Sequence, residues 1–127
     1  MELKNLEEFN RFGDRKYVPH LSVDCVIFGF HDNSLRVLLL KWKEGPWCLP
    51  GGFVKHEESL DQSAVRILKE RTGLDDIYLK QFYTFGDPAR EKGKKQSEYW
   101  IGKRFISIGY YALVDYSKVN PKPDIFS

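Results

Sequence analysis

The 127-residue sequence is short of cysteine, of net charge and of long apolar runs, and each shortage removes a class of protein. Its two cysteines, Cys25 and Cys48, both sit in apolar stretches, Asp24-Cys25-Val26-Ile27 and Trp47-Cys48-Leu49. There a free thiol behaves as a small hydrophobe, and no disulfide is expected. Twenty basic residues against 18 acidic ones leave a formal charge of +2. That is too little for a whole-molecule field drawing the protein to nucleic acid or to a membrane, so any basic function is local. No apolar run approaches the roughly 20 residues that span a bilayer. The start, Met1-Glu2-Leu3-Lys4-Asn5-Leu6-Glu7-Glu8, has no apolar signal-peptide core. These absences point to the cytoplasm. Repeats and low-complexity tracts are also missing, and 42% hydrophobic with 30% charged residues is the balance of one ordinary globular core.

What is present falls into a readable order. Residues 2–12 space Leu3, Leu6, Phe9 and Phe12 among charges, which suits a short amphipathic helix or an arm over residues 1–19. His20 to Phe30 is rich in Val, Ile and Phe, His31-Asp32-Asn33-Ser34 supplies turn residues, and Leu35 to Trp42 resumes the apolar pattern, predicting a hairpin. Trp47-Cys48-Leu49 is a short strand, after which Pro50-Gly51-Gly52 is expected to end the ladder and open a loop. Ser59 or Glu58 offers an N-cap, Leu60, Ala64, Ile67 and Leu68 recur at helical spacing, and Gly73 closes the helix. Ile77 to Phe85 and Phe105 to Val114 read as strands. Between them Gly86 to Arg104 is a long polar connection of the kind that is usually functional. From Tyr116 the chain reads as a linker, with Pro121-Lys122-Pro123-Asp124. The predicted class is α+β with a mixed sheet.

One stretch carries more than fold. Gly52-Phe53-Val54-Lys55-His56-Glu57-Glu58, seven residues, then Arg66-Ile67-Leu68-Lys69-Glu70-Arg71-Thr72-Gly73-Leu74 resembles the Nudix box. Gly52, Glu58, Arg66, Gly73 and Leu74 fall in register, and Glu70 matches the first of the box's paired glutamates. The resemblance implies a Nudix fold over residues 20–115, with the loop and helix packed on the mixed sheet. It also implies a further C-terminal strand and helix, which are expected to be missing from this sequence.

The box departs from its family where chemistry is done. Cleaving a pyrophosphate requires divalent metal to neutralise phosphate oxygens and activate water, and Mg²⁺ takes oxygen ligands. Carboxylates at i, i+3 and i+4 of a helix share one face and converge on such ions. Here those positions are Ile67, Glu70 and Arg71. Relative to the family pattern the local charge rises by about three units, and a guanidinium about 5 Å from a divalent cation is repelled by roughly 6 to 7 kcal/mol at an effective dielectric of 20. Glu70 with the Gly51 carbonyl is a poor metal site. In the family the residues matching Glu58 and Arg66 brace the loop against the helix, and that structural role is the one expected of them here. Glu70 is read equally as a residual catalytic or metal contact and as an i, i+4 partner of Arg66. An apolar Ile67 extends the packed stripe. Glu57, Asp61 and Glu98 are the carboxylates that other geometry would have to recruit.

The second half narrows the resemblance. Gln81-Phe82-Tyr83-Thr84-Phe85-Gly86-Asp87-Pro88-Ala89-Arg90 and Arg104 to Leu113 resemble the ADP-ribose pyrophosphatase-like branch and the ligand-sensing domains of Nudix-related transcriptional regulators. Residues 90–104 hold six basic side chains against Glu91 and Glu98. Arg grips phosphate bidentately, so Arg90 and Arg104 are chosen as phosphate contacts, with Asp87 and Ser107 beside them as ligand contacts. Lys92, Lys94 and Lys95 read as a solvated loop. Tyr83 and Phe85 could stack on a base or sugar but are more often core on strands. Tyr99 and Trp100, in a polar loop, look like interface residues.

Two functions are carried forward. The first is a weakened Nudix domain that binds an ADP-ribose-like or sugar ligand as the sensor of a regulator, touching DNA only through another domain. The second is a working Mg²⁺-dependent hydrolase of ADP-ribose or a related nucleoside diphosphate compound. A homodimer is what the resemblance implies in either case.

Overall fold

The computed structural model describes residues 2–41, 45–91 and 98–120. Helix α1 spans Leu6–Lys16. It starts later than the apolar spacing suggested because Asn5 is the cap: its side chain accepts the Glu8 N–H, with Glu7 and Glu8 in the first turn and Arg15 and Lys16 in the last. Leu6 faces solvent, and Phe9 and Gly13 face inward.

Strand β1, Tyr17–His31, is the spine of the sheet. It turns through Asp32 and Asn33, both at positive φ (51° and 62°), into β2, Ser34–Val37. Short polar side chains tolerate that conformation, which is why the hairpin was readable. The second hairpin strand is shorter than expected: Leu40–Lys41 (β3) leaves it to pair with Trp47–Cys48 (β4), and Trp42 lies outside the described residues. The expected loop at Pro50-Gly51-Gly52 is overturned as well. Gly51–Lys55 is strand β5, antiparallel to β1 with Gly51 opposite Asp24. Proline lacks only the donor; the Pro50 carbonyl still accepts the Cys25 N–H at 2.8 Å and leads into the ladder.

Helix α2, Leu60–Thr72, has the predicted ends: Ser59 and Gln62 form a reciprocal capping box, and Gly73 closes it at φ 76°. Strand β6 is Lys80–Phe85 and β7 is Ile106–Val114. The sheet runs β2-β1-β7-β6, with β5 on the first half of β1. Among the described strands only β1 and β7 are parallel, so it is the mixed sheet expected.

Alternation along β1 and β7 then decides the two faces. Val23, Cys25, Ile27, Ile108, Tyr110 and Ala112 meet Ala64, Ile67 and Leu68 of α2 in the main core. Near α1 a second cluster of Phe9, Tyr17 and Trp100, with Phe53 and Phe105 against it, fastens α1 to the sheet. This corrects the reading of Trp100. It is 6% exposed and its indole Nε1 donates to the Phe9 carbonyl at 2.7 Å, so it is core, not interface. Of the expected linker, Tyr116–Lys118 makes a short 3₁₀ turn and the Asn120 N–H reaches the Thr72 carbonyl; residues 121–127 lie outside the description. Cys25 and Cys48 are both free. Among the described residues no helix is long and apolar enough to cross a membrane.

Candidate functional site

The box is built around two close approaches. Gly52 has no side chain because Ile67 stands against it: a Cβ there would come within 2.8 Å of Ile67 Cγ1. Ile67 is 1% exposed, in the core as its place on the apolar stripe indicated. Beside it, Arg66 crosses from α2 to the loop. Its Nε donates to both Glu58 oxygens (3.0 and 2.9 Å) and its Nη2 to the Phe53 carbonyl at 2.6 Å, while Ser63 Oγ donates to Glu58 at 2.8 Å. Burial raises the Glu58 pKa, but the bonds from Arg66 and Ser63 and the charge of Arg66 outweigh it and hold the carboxyl below its usual range. Burial likewise works against the Arg66 cation, and the bond it donates to Glu58, with the charge of Glu70, leaves it more firmly protonated. Glu58 and Arg66 therefore form a loop-to-helix brace. Glu70 joins its exposed edge, 3.3 Å from Arg66 Nη1, in the i, i+4 pair anticipated from sequence.

Arg71 neither swings to solvent nor sits idle. It is 5% exposed, and its Nε donates to the Gly51 carbonyl oxygen at 2.9 Å. That oxygen is one of the two groups the sequence offered to a metal. The other, the Glu70 carboxylate, is engaged by Arg66. The residues present therefore do not fit the divalent ion that the resemblance implies: a cation already holds the carbonyl, an isoleucine fills the helix position between, and the remaining carboxylate is paired. Among the described residues no three His, Cys, Asp or Glu side chains gather as metal ligands. Of the alternative carboxylates, Asp61 accepts the Tyr110 hydroxyl at 2.6 Å, and Glu57 and Glu98 are exposed.

The second set of candidates does converge. Arg90 Nη1 donates to the Phe85 carbonyl at 2.8 Å and Arg104 Nη2 to the next carbonyl, Gly86, bringing both guanidinium groups to the end of β6. Asp87 accepts the Ala89 N–H at 2.9 Å and so shapes the turn that carries Arg90. Ser107, buried in β7, donates its hydroxyl to the Asp24 carboxylate. Lys92, Lys94 and Lys95 lie outside the described residues.

Asp24 is the residue that sequence reasoning passed over. It projects from β1 beside Gly51, where a Cβ would come within 2.6 Å of its Oδ1. Burial pushes its pKa up, with Ser107's hydrogen bond and Arg90's charge pulling back, and the net shift is upward. The signal available was an isolated carboxylate inside the apolar run Leu21 to Phe30.

The NUDIX domain family matches residues 18–126, and the chain belongs to that family. It is 32% identical over 104 residues to the ADPR responsive transcriptional repressor NtrR of Acinetobacter baylyi, covering 77% of this chain and 38% of that protein. It is 36% identical over 81 residues to the ADP-ribose pyrophosphatase of Methanocaldococcus jannaschii, covering 61% of this chain and 48% of that one. The chain thus spans less than half the length of both curated relatives. Among solved structures, the NUDIX domain of Shewanella oneidensis NrtR complexed with ADP ribose superposes with a TM-score of 0.59 at 28% identity, over 93% of this chain and 80% of that one.

Proposed function

We propose that this domain binds an ADP-ribose-like nucleoside diphosphate compound without cleaving it, as the sensor part of a transcriptional regulator whose DNA contacts belong to another domain. The observation that carries the reading is the Arg71 guanidinium on the Gly51 carbonyl, the place where a hydrolase of this family would collect metal. A cation built into the chain occupies the carbonyl that would otherwise help to hold a metal for polarising water. Arg90 and Arg104 at the end of β6 supply the anion contacts in this account, with Asp87 and Ser107 beside them. The relatives named for ADPR response and found with ADP ribose supply the ligand class. The domain is proposed to work as a homodimer in the cytoplasm.

The competing reading is a Mg²⁺-dependent hydrolase of ADP-ribose, favoured by the pyrophosphatase relative and by Glu70, which keeps its carboxylate at the surface of α2. Incubating the protein with ADP-ribose and Mg²⁺ and following the phosphorus spectrum separates the two. Intact ADP-ribose is expected. Turnover at an ordinary enzymatic rate that Glu70→Gln abolishes would replace the sensor by the enzyme.

A further inference from the structure

Strand β6 breaks its own alternation at a place that faces solvent. Gln81 pairs with Tyr110 and Tyr83 with Gly109, so Phe82 is an extra residue between adjacent partners of β7. Such a bulge re-aims side chains on an edge strand, and here Phe82 and Tyr83 are exposed in succession, at 45% and 59%. Tyr83 is therefore not the core residue that its place on a strand suggested.

These rings are organised rather than loose. The Phe82 and Phe85 rings lie over Gly109, where a Cβ would come within 2.9 Å of the first and 3.1 Å of the second. Tyr83 tilts against Phe85 with ring centroids 4.8 Å apart. The three aromatics wall an open hollow of about 600 Å³ whose remaining lining is Gly86, Asp87 and Arg90. Arg90 closes one end, its guanidinium carbon 5.6 Å from the Phe85 ring centre. Gly109, the floor beneath the rings, pairs on its other side with Asp24, the half-buried carboxylate that Ser107 holds.

A wall of exposed π-faces with a guanidinium at its rim has two chemistries to offer. The rings stack on a flat apolar surface, and the guanidinium takes an anion one sugar's breadth away. We propose that the Phe82–Tyr83–Phe85 shelf seats the nucleobase of the ligand, with Arg90 on the phosphate that follows and the Asp24–Ser107 pair facing the base edge or ribose hydroxyls. A base lays a flatter and larger face on the three rings than a sugar does, so the shelf favours nucleoside compounds over sugars and sugar phosphates. This placement rests on the reading that the ligand is a nucleoside diphosphate compound.

Calorimetric titration of the whole chain with ADP-ribose, AMP and ribose 5-phosphate tests it, using Tyr83→Ala and Phe82→Leu with Tyr83→Phe as the conservative control. Each side chain is substantially exposed, and thermal melts confirm that the variants fold. The wild type is expected to bind ADP-ribose and AMP in preference to ribose 5-phosphate. Tyr83→Ala should weaken ADP-ribose and AMP about ten-fold, the size of one lost stack, with Phe82→Leu in the same direction and Tyr83→Phe near wild type. Unchanged ADP-ribose affinity in Tyr83→Ala and Phe82→Leu overturns the base shelf and leaves the proposed function standing. The same unchanged affinity with an altered sedimentation mass assigns the shelf to a protein contact instead. Failure of the wild type to bind either ADP-ribose or AMP removes the function and this placement together.

Discussion

Arg71 Nε lies 2.9 Å from the carbonyl oxygen of Gly51, so that helix α2 and the start of strand β5 are joined through a guanidinium at the point where the family's chemistry requires a metal. Substitution there should therefore have two separable effects. Arg71→Ala removes a charge-assisted bond to a half-buried carbonyl and should lower stability by about 2 kcal/mol. Arg71→Glu returns a carboxylate beside Gly51 and should make the melting temperature rise with Mg²⁺, to which the wild type is indifferent. A wild-type melting temperature that climbs with Mg²⁺ contradicts the assignment.

Ile67 gives the complementary result. Its side chain is packed on Gly52 in the core, so Ile67→Glu places a carboxylate in an apolar setting instead of repairing a metal site. A loss of several kcal/mol is expected, on the order of the cost of an unpaired buried charge. Guanidinium denaturation reads it, and a variant as stable as wild type shows that the helix face can turn outward.

How much of this was legible in the sequence follows from what sets each feature. Cap residues and helical spacing delivered both ends of α2, and the brace between Glu58 and Arg66 was legible through the resemblance to the Nudix box. Arg71's partner lies across the β5–α2 turn. A long cationic side chain near a divalent site looks repulsive until the carbonyl that it occupies is seen. Trp100 was misread because its burial depends on α1, whose docking runs through Phe9, far away in sequence. Pro50 was misread because a missing donor was taken as a missing strand. Nothing in the run of aromatics on β6 announces a bulge, since the slip is set by pairing with Gly109.

Glu58 and Asp24 should shape the pH dependence of stability with opposite signs. Glu58 has a depressed pKa when folded, so its contribution is present above the unfolded value, about 4.3, and is lost as pH falls through the folded one. Glu58→Gln should cost about 2–3 kcal/mol at pH 7 and progressively less in acid. A deficit that is the same at pH 3 and pH 7 contradicts the brace.

Asp24 has a raised pKa when folded. The folded protein holds this proton more tightly, so the contribution is full below the unfolded value, about 3.9, and is lost as pH rises through the folded one. Asp24→Asn keeps an acceptor for Ser107 and should melt higher than wild type at pH 7, with the difference closing below about pH 4. A variant less stable at neutral pH shows that the charge is compensated by the fold.

Trp100 is the anchor of α1. Trp100→Ala opens a cavity among Phe9, Tyr17, Phe53 and Phe105 and should cost about 3–5 kcal/mol, with proteolysis appearing first within residues 6–16. An unchanged digestion pattern indicates that α1 is held by other contacts.

The central claim is that a guanidinium has taken the place of the metal, and binding without metal tests it most directly. Titration of ADP-ribose into the protein in excess EDTA, repeated in Mg²⁺, should give the same affinity, with intact ADP-ribose recovered from both cells. Binding that appears only with Mg²⁺, or ADP-ribose recovered as AMP and ribose 5-phosphate, contradicts it.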